Sequence, residues 1–542
     1  MKTKISMKYL PSTSCSFLRF VVVASLSMAL LACGGGGGGS AGGANVSKYT
    51  IGGTVSGLAS GAQLTLLNNG ANASTVTDSG AFSFSTPVAY NGSYAVTVGT
   101  QPTGQVCTVS NGSGSGVTAD ISNVSVVCSA SIRVANATLT HPSLDLWVTS
   151  IVTTATGVSL NAVSSYVPAP PGAATLQLDD HGSNTGLAIS TPTLVGGGHY
   201  TLLAYESGAT GGSVVKMYPL TEDWLIPAQA GTTQVHVLDF APEAGNLDVY
   251  VAASPVAAGG TPTGYVGSFN TSVPQAIGLN ESVGTYYVTV TASNNLADVR
   301  MLNMPVTMTS QQVATVSLTP ASGGSLLDGS MLIQQGAFTT FRNTGTRVRL
   351  ASAVSGAATT VNATVTTAGV TSPLDGGVAP QLGSYYVVPA SSTLNVSVNG
   401  VAIAAPTGLT PGGDMTLLVF GGPTAATASL IADDNRPPTN SALVKMRLIN
   451  GITGNSGNVV TLVANGVALT TGVTPGTASA YGAAGINAYG NVNLSLSSSL
   501  NANLIPPSVA TAYTLNPNTT YTVFAVGDYS TATPTNLLLL VQ

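Results

Sequence analysis

Two stretches that begin 103 residues apart decide the architecture: Ile132–Val148, IRVANATLTHPSLDLWV, and Val235–Val251, VHVLDFAPEAGNLDVYV. Each runs from an alternating strand, through a Pro- or Gly-containing loop, into Leu-Asp-apolar-aromatic-Val. Weaker copies start at Val348 (VRLASAVSGAATTVNATV) and Met446 (MRLINGITGNSGNVVTLV). A later strand of one type follows in each: HYTLLAYESG at His199, YYVTVTASN at Tyr286, MTLLVFGGP at Met415 and YTVFAVGDY at Tyr521. Period-two alternation turns one face of such a strand toward a second sheet. A repeat of this length therefore predicts four two-layer β-sandwiches, at 130–231, 232–345, 346–440 and 441–542.

Ahead of them, 49–129 carries the strand-like runs YTIGGTVSGL, AQLTLLNNG, GAFSFSTPV, SYAVTVGTQP and NVSVVCS, with Asn68-Asn69-Gly70 suited to a hairpin turn. These words resemble the immunoglobulin-like repeats of bacterial surface proteins. Short runs rich in Val, Thr, Ile, Leu and Tyr alternate with Gly, Asn, Pro and Ser clusters along the whole body, and no long window has helical periodicity with caps. The fold class is all-β, tandem Ig-like β-sandwich modules. Strung as beads, five such bodies reach about 150–200 Å.

The 542 residues include 64 Gly and 29 Pro, and only 6% are charged. Four of the 14 bases (Lys2, Lys4, Lys8 and Arg19) lie before Cys33, which leaves ten against 19 acids in the rest of the chain. No basic patch with interleaved aromatics exists, and nucleic acid is excluded as a partner.

Those leading bases precede Phe20–Ala32, FVVVASLSMALLA, too short to span a membrane and fit for the hydrophobic region of a secretory signal at 1–32. Leu30-Leu31-Ala32-Cys33 resembles the lipobox of bacterial lipoproteins. That resemblance implies palmitate-type acylation of Cys33 as the first mature residue and, with Gly34 behind it, sorting to the outer membrane. The glycine-rich 33–48 reads as a flexible tether. Cys15 leaves with the signal and Cys33 takes the lipid, so Cys107 and Cys128 remain as one disulfide pair in an oxidising compartment.

The repeated words LDLWV and LDVYV resemble the DUF4397 family of exported bacterial proteins, with Asp145 and Asp248 at its characteristic aspartate. The third and fourth units depart from it, carrying Asn362 and Thr461 near that place. The family has no established activity, so the resemblance implies fold and export and no chemistry.

No G-x-S-x-G elbow, H-E-x-x-H, P-loop or Rossmann fingerprint occurs. His141 and Asp145 invite a base–orienter pairing, against which stands a loop histidine and an aspartate that bonds nearby backbone amides. Asp179 and Asp180 beside His181, and Asp223 beside Trp224, are the carboxylates a glycosidase would draw on. The acidic clusters at unit boundaries (Glu222 and Asp223; Asp433 and Asp434 with the amide Asn435) suggest structural Ca²⁺ shared between neighbouring domains, against solvated turn residues; the second boundary offers Asp328.

These readings converge on a lipid-anchored envelope protein that is not an enzyme. Its expected role is structural, adhesive or ligand-binding, toward a cell-surface, matrix or envelope ligand. A periplasmic assembly or accessory factor, and a carbohydrate-active hydrolase or its subunit, are the alternatives.

Overall fold

The computed structural model describes residues 47–541, apart from 149–152, 185, 208–213, 258–259, 271–275, 357, 437, 439, 441, 454–458, 486–489, 499–510 and 529–537. The expected signal, Cys33 and most of its tether lie outside the described residues. Among these residues no helix is long and apolar enough to cross a membrane, and the one helical element is the turn Pro242–Ala244.

One plan is used five times. In the leading module a sheet in the order Gly80–Ser83, Ile51–Ser56, Ile121–Cys128, Cys107–Ser110 faces a sheet in the order Asn72–Val76, Leu64–Asn68, Ser93–Thr100, Ser113–Ser115. Its opening strand runs parallel to its closing strand, with Val55 opposite Val126. The repeats keep this parallel centre: Ala130–Asn136 pairs with His199–Ser207, Thr232–Asp239 with Val313–Pro320, Gly345–Val354 with Asp414–Gly422, and Leu443–Thr453 with Thr519–Asp528. The facing sheets are antiparallel, built round Ser143–Val148, Leu247–Ala252, Thr360–Thr367 and Val460–Ala464. Asn69, Asn399 and Asn465 take positive φ at hairpin turns, where the short amide side chain tolerates the left-handed region.

Each sandwich buries its own core. In the first repeat Ile132, Val134, Leu144, Leu146, Leu176, Leu178 and Leu202 are wholly inside. The Cys107–Cys128 disulfide fastens the closing strand of the leading module to its edge neighbour within that module's core.

The sandwiches are not beads. Ala135, Leu203, Tyr205 and Leu220 of the first repeat form a second buried cluster with Phe240, Leu332 and Phe338 of the second. Ala351, Ala353 and Leu418 of the third do the same with Ile449, Phe524 and Val526 of the fourth. In both cases the sheet that holds the parallel centre is buried on its outer face as well. Every residue of Ala130–Asn136 is buried, as are all but the first of Gly345–Val354 and of Leu443–Thr453.

The leading module meets the first repeat backbone to backbone. A Cβ on Gly57 would lie 2.9 Å from the Cα of Gly196, and Gly57 also has φ +73°, so glycine is required there twice over. Across the same seam Ser131 Oγ of the first repeat donates to the Gly104 carbonyl at 2.8 Å, and beside it the Gln105 amide ties the module's own Gly57 and Ser129 carbonyls at 2.9 and 2.7 Å.

Candidate functional site

The polar chemistry concentrates where sandwiches meet. Arg133 sits second in IRVAN on an opening strand whose residues face either the core or the neighbouring sandwich. Its Nε donates to Thr201 Oγ1 at 2.8 Å and its Nη2 to Glu222 Oε2 at 2.6 Å, with both side chains almost fully buried. Thr201 Oγ1 and the Tyr166 hydroxyl also donate to Glu222, and the guanidinium lies 4.7 Å over the Tyr166 ring. From the second repeat, the Gly336 carbonyl accepts Arg133 Nη1 at 2.8 Å and the Gln335 amide donates to Glu222 at 2.5 Å.

The same Arg, Thr and Tyr recur around an acid in the third repeat. Arg349 Nε donates to Thr416 Oγ1 at 2.9 Å; Thr416 and Tyr385 donate to Asp433 at 2.7 and 2.6 Å; the guanidinium lies 4.6 Å over Tyr385. In the fourth repeat Arg447 is placed 4.7 Å over Tyr481 and reaches across to Asp433. Burial pushes the Arg349 and Arg447 guanidinium pKa values down and the Tyr385 and Tyr481 phenols up. Charge so enclosed is tolerable only when paired and stacked on aromatic faces.

The second repeat departs from this pattern. His236 replaces the arginine, and its ring stacks on Trp224 at 4.1 Å between centroids. Burial holds the His236 pKa below its ordinary value.

The acids expected to hold calcium are engaged as follows. Glu222 and Asp433 are ligated by the chain's own arginines and hydroxyls. Asp434 accepts Arg436 Nε at 2.7 Å and lies 3.1 Å from Lys445 Nζ. Asp223 takes the His199 amide and ring at 2.7 and 2.9 Å. Asn435 turns its amide nitrogen toward Asp414, at 2.6 Å. At the second boundary Asp328 accepts Arg342 Nη1 at 2.7 Å, and Arg342 Nη2 reaches the Thr138 carbonyl of the first repeat. A calcium ion needs six to eight oxygens free of competing cations. Among the described residues no group of three or more His, Cys, Asp and Glu side chains gathers in a metal-binding cluster.

His141 and Asp145 are not partners. His141 Nδ1 lies 2.6 Å from Asp180, whereas Asp145 meets His181 Nδ1 at 2.9 Å and accepts the Gly157 and Gly182 amides at 2.7 and 3.2 Å. Asp248 holds the equivalent hairpin of the second repeat, accepting Ser268 and Ser293 hydroxyls at 2.5 and 3.1 Å and the Asn294 amide at 2.8 Å. Burial opposes ionisation of both, but these donors outweigh it and keep both carboxyls below the ordinary range. In the third repeat the bond runs the other way, with Asn399 Oδ1 accepting the Thr360 amide at 2.8 Å. Asp145 and Asp248 are hairpin clasps. Asp179 is likewise engaged by the Gly186 amide, at 2.6 Å.

The arginine–tyrosine–acid joint was missed in the sequence, although IRVAN, VRLAS and MRLIN carry its arginine at one position. Its tyrosine and acid lie 33 and 89 residues from Arg133, on other strands, with no fixed local spacing.

These features define a tandem β-sandwich protein whose paired sandwiches are joined by buried charge. Residues 130–250 match the family model described as Domain of unknown function (DUF4397), in agreement with the resemblance read from LDLWV and LDVYV. The match spans the first repeat and ends at the start of the second, so it includes both Asp145 and Asp248. No curated protein matches the chain. Among solved structures, the Bacillus anthracis TIE protein is 8% identical over 70% of this chain and 75% of its own, with a TM-score of 0.15. A candidate cell-adhesion protein from Bacteroides uniformis is 12% identical over 38% of this chain and 98% of its own, with a TM-score of 0.16. At such scores neither likeness carries an argument.

Proposed function

We propose that the chain is a lipid-anchored cell-envelope protein that presents a stiff series of sandwiches in a structural, adhesive or ligand-binding role, without catalysis. The observation that supports this reading is the engagement of buried charge between sandwiches: Arg447 and Lys445 of the fourth repeat meet Asp433 and Asp434 of the third, and the buried Arg133–Glu222 pair of the first reaches the Gly336 carbonyl and Gln335 amide of the second. A body so joined holds the exposed surfaces of neighbouring sandwiches in fixed relation to one another. Acylated Cys33 would hold it to the outer membrane through hydrocarbon burial, and exposed loops and sheet edges would meet the ligand, repeated units adding avidity.

The test is protease accessibility on intact cells, with Cys33→Ser as the unlipidated control and a periplasmic protein as integrity marker. Digestion of the repeats on intact cells, with palmitate labelling abolished by Cys33→Ser, is the expected result. Protection until the outer membrane is opened would reject the adhesive role and favour a periplasmic one.

A further inference from the structure

The second sandwich carries a substituted version of the joint, and the strand registers show what replaces each part. On the parallel neighbour a threonine stands opposite the basic residue in every repeat: Thr201 opposite Arg133, Thr416 opposite Arg349, Thr522 opposite Arg447 and Thr315 opposite His236. On the antiparallel neighbour the other three repeats place a tyrosine. Val167, Tyr386 and Gly482 pair with the residue before each arginine, so Tyr166, Tyr385 and Tyr481 come next, at the guanidinium. His236 meets Gly278 there. The acid is exchanged as well. The Glu222 amide donates to the carbonyl of His199, two residues before Thr201, and the Gln334 amide donates to the carbonyl of Val313, two residues before Thr315. Arginine, tyrosine and acid have become histidine, glycine and glutamine.

With no side chain on Gly278, the ring over the basic residue comes from elsewhere. Trp224, in the connector between the first and second sandwiches, stacks on the imidazole at 4.1 Å between centroids and 23° from parallel. Gln334 holds the same residue by its backbone: its Oε1 accepts the Trp224 amide at 2.9 Å and its Nε2 donates to the Trp224 carbonyl at 3.0 Å. Leu225 and Ile226, next in the connector, are 90% and 60% exposed.

Arginine keeps its charge, whereas histidine loses or gains one near neutral pH. His236 is 7% exposed, and its Nε2 is buried without a hydrogen-bond partner among the described residues. Protonation would make that nitrogen a donor with nothing to receive it. The acids on the surrounding elements are engaged or displaced. Glu222 is bound to Arg133, Asp223 to His199 and Asp328 to Arg342. Asp239, on the same strand as His236, accepts the Ala241 amide, and Glu281, on the strand of Gly278, pairs with Thr233. Burial is what moves the His236 pKa, and it moves it down. The indole face attracts an imidazolium but gives neither ring N–H an acceptor, and water gives both.

We propose that His236 and Trp224 form an acid-sensitive latch: protonation of the imidazole releases Trp224 and frees the connector while the two sandwiches stay joined. The apolar cluster around Leu203 and Phe240, which acid leaves uncharged, keeps the pair together. Because the closed latch holds the imidazole below its free value of about 6.5, closure is favoured above that pH and weakens as falling pH protonates the ring. Opening turns the connector, with its apolar Leu225 and Ile226, from a fixed segment at neutral pH into a mobile one in acid.

The experiment follows Trp224 fluorescence in the detergent-solubilised full chain from about pH 8 to about pH 4.5, with Trp147→Phe removing the other tryptophan. A step below about pH 6.5 is expected, in which emission moves to longer wavelength and acrylamide gains access to the indole while far-ultraviolet circular dichroism stays unchanged. The step disappears in two neutral variants, His236→Gln and the shorter His236→Asn, and survives in His199→Gln, which separates it from the neighbouring His199–Asp223 pair. A flat titration of the parent overturns the proposal, as does quenching without greater acrylamide access, the mark of an imidazolium that stays stacked. A step that persists in either folded His236 variant, vanishes in His199→Gln or coincides with loss of the strand signal overturns it too.

Discussion

Arg349 and Arg447 belong to different sandwiches and converge on one carboxylate, Asp433. Each is also stacked on a tyrosine, Tyr385 or Tyr481. The two like charges are therefore held together by an acid between them and aromatic faces beside them. This is a joint that fixes orientation more than it adds stability, since desolvation cancels much of the attraction.

The first repeat allows that balance to be measured. Glu222→Gln leaves Arg133 buried without its counter-charge and is expected to cost about 3–5 kcal/mol. Arg133→Met combined with Glu222→Leu should recover most of the loss, because both charges are then gone. Denaturation midpoints of the three proteins decide it; a single variant as stable as the parent would refute the lock.

Asp239 sits where Asn136 and Asn450 sit in their repeats, and all three accept the amide two residues on. The asparagines also donate, to Val158 and Val473 carbonyls. Asp239 Oδ2 has no such bond among the described residues. Burial, with Glu243 nearby, raises the Asp239 pKa to about 6. A carboxyl raised in the folded state favours folding below its unfolded value, near 4, and that stability is lost as pH climbs through about 6. Asp239→Asn should therefore stabilise the protein at pH 7–8 by about 1–3 kcal/mol and leave it little changed at pH 4. Thermal melts at the two pH values, with equal shifts at both, would refute this.

For the clasps the sign is opposite. The pKa values of Asp145 and Asp248 are lowered on folding, so their stabilisation is present above the ordinary carboxylate range and is lost as pH falls through it. Asp145→Ala or Asp248→Ala, each of which unbinds three donors, should cost about 1–3 kcal/mol at pH 7. Hydrogen exchange at Gly182 and Asn294 should quicken in the respective variant.

Millimolar Ca²⁺ should leave melting temperature and small-angle scattering unchanged, since the boundary acids already face arginine and lysine. A calcium-dependent rise in either would restore the metal reading.

Reduction of Cys107–Cys128, which closes a 21-residue separation, should cost the leading module about 3 kcal/mol and leave the repeats untouched. Calorimetry with and without reductant resolves the two.

The sandwich plan was legible because alternation, Asn and Gly turns and the LDLWV and LDVYV words are all local. The pairing of sandwiches was not. Strands buried on both faces lose the polar half of their alternation, and in IRVANA and VRLASAV the outward positions hold an arginine beside small residues that pass for a quiet surface. The acids at the boundaries were visible; their partners were not, because an ion pair formed between residues 89 apart leaves no spacing to read. The clasp role was half visible, as an aspartate able to bond amides, while its histidine, His181, was assigned to a carboxylate cluster instead.

The parallel centre of the leading module has a mechanical consequence. Ile51–Ser56 and Ile121–Cys128 point the same way, so the chain enters at one end of the pair and leaves at the other. Tension on the two ends would load those interstrand bonds together, in shear, instead of opening them one by one. At the exit the last residue of the loaded strand, Cys128, is bolted to Cys107. In the first, third and fourth repeats a further antiparallel strand returns the chain toward its entry end, and the same pull would peel them. Under load the leading module is stiffer than these three, and it precedes all the repeats.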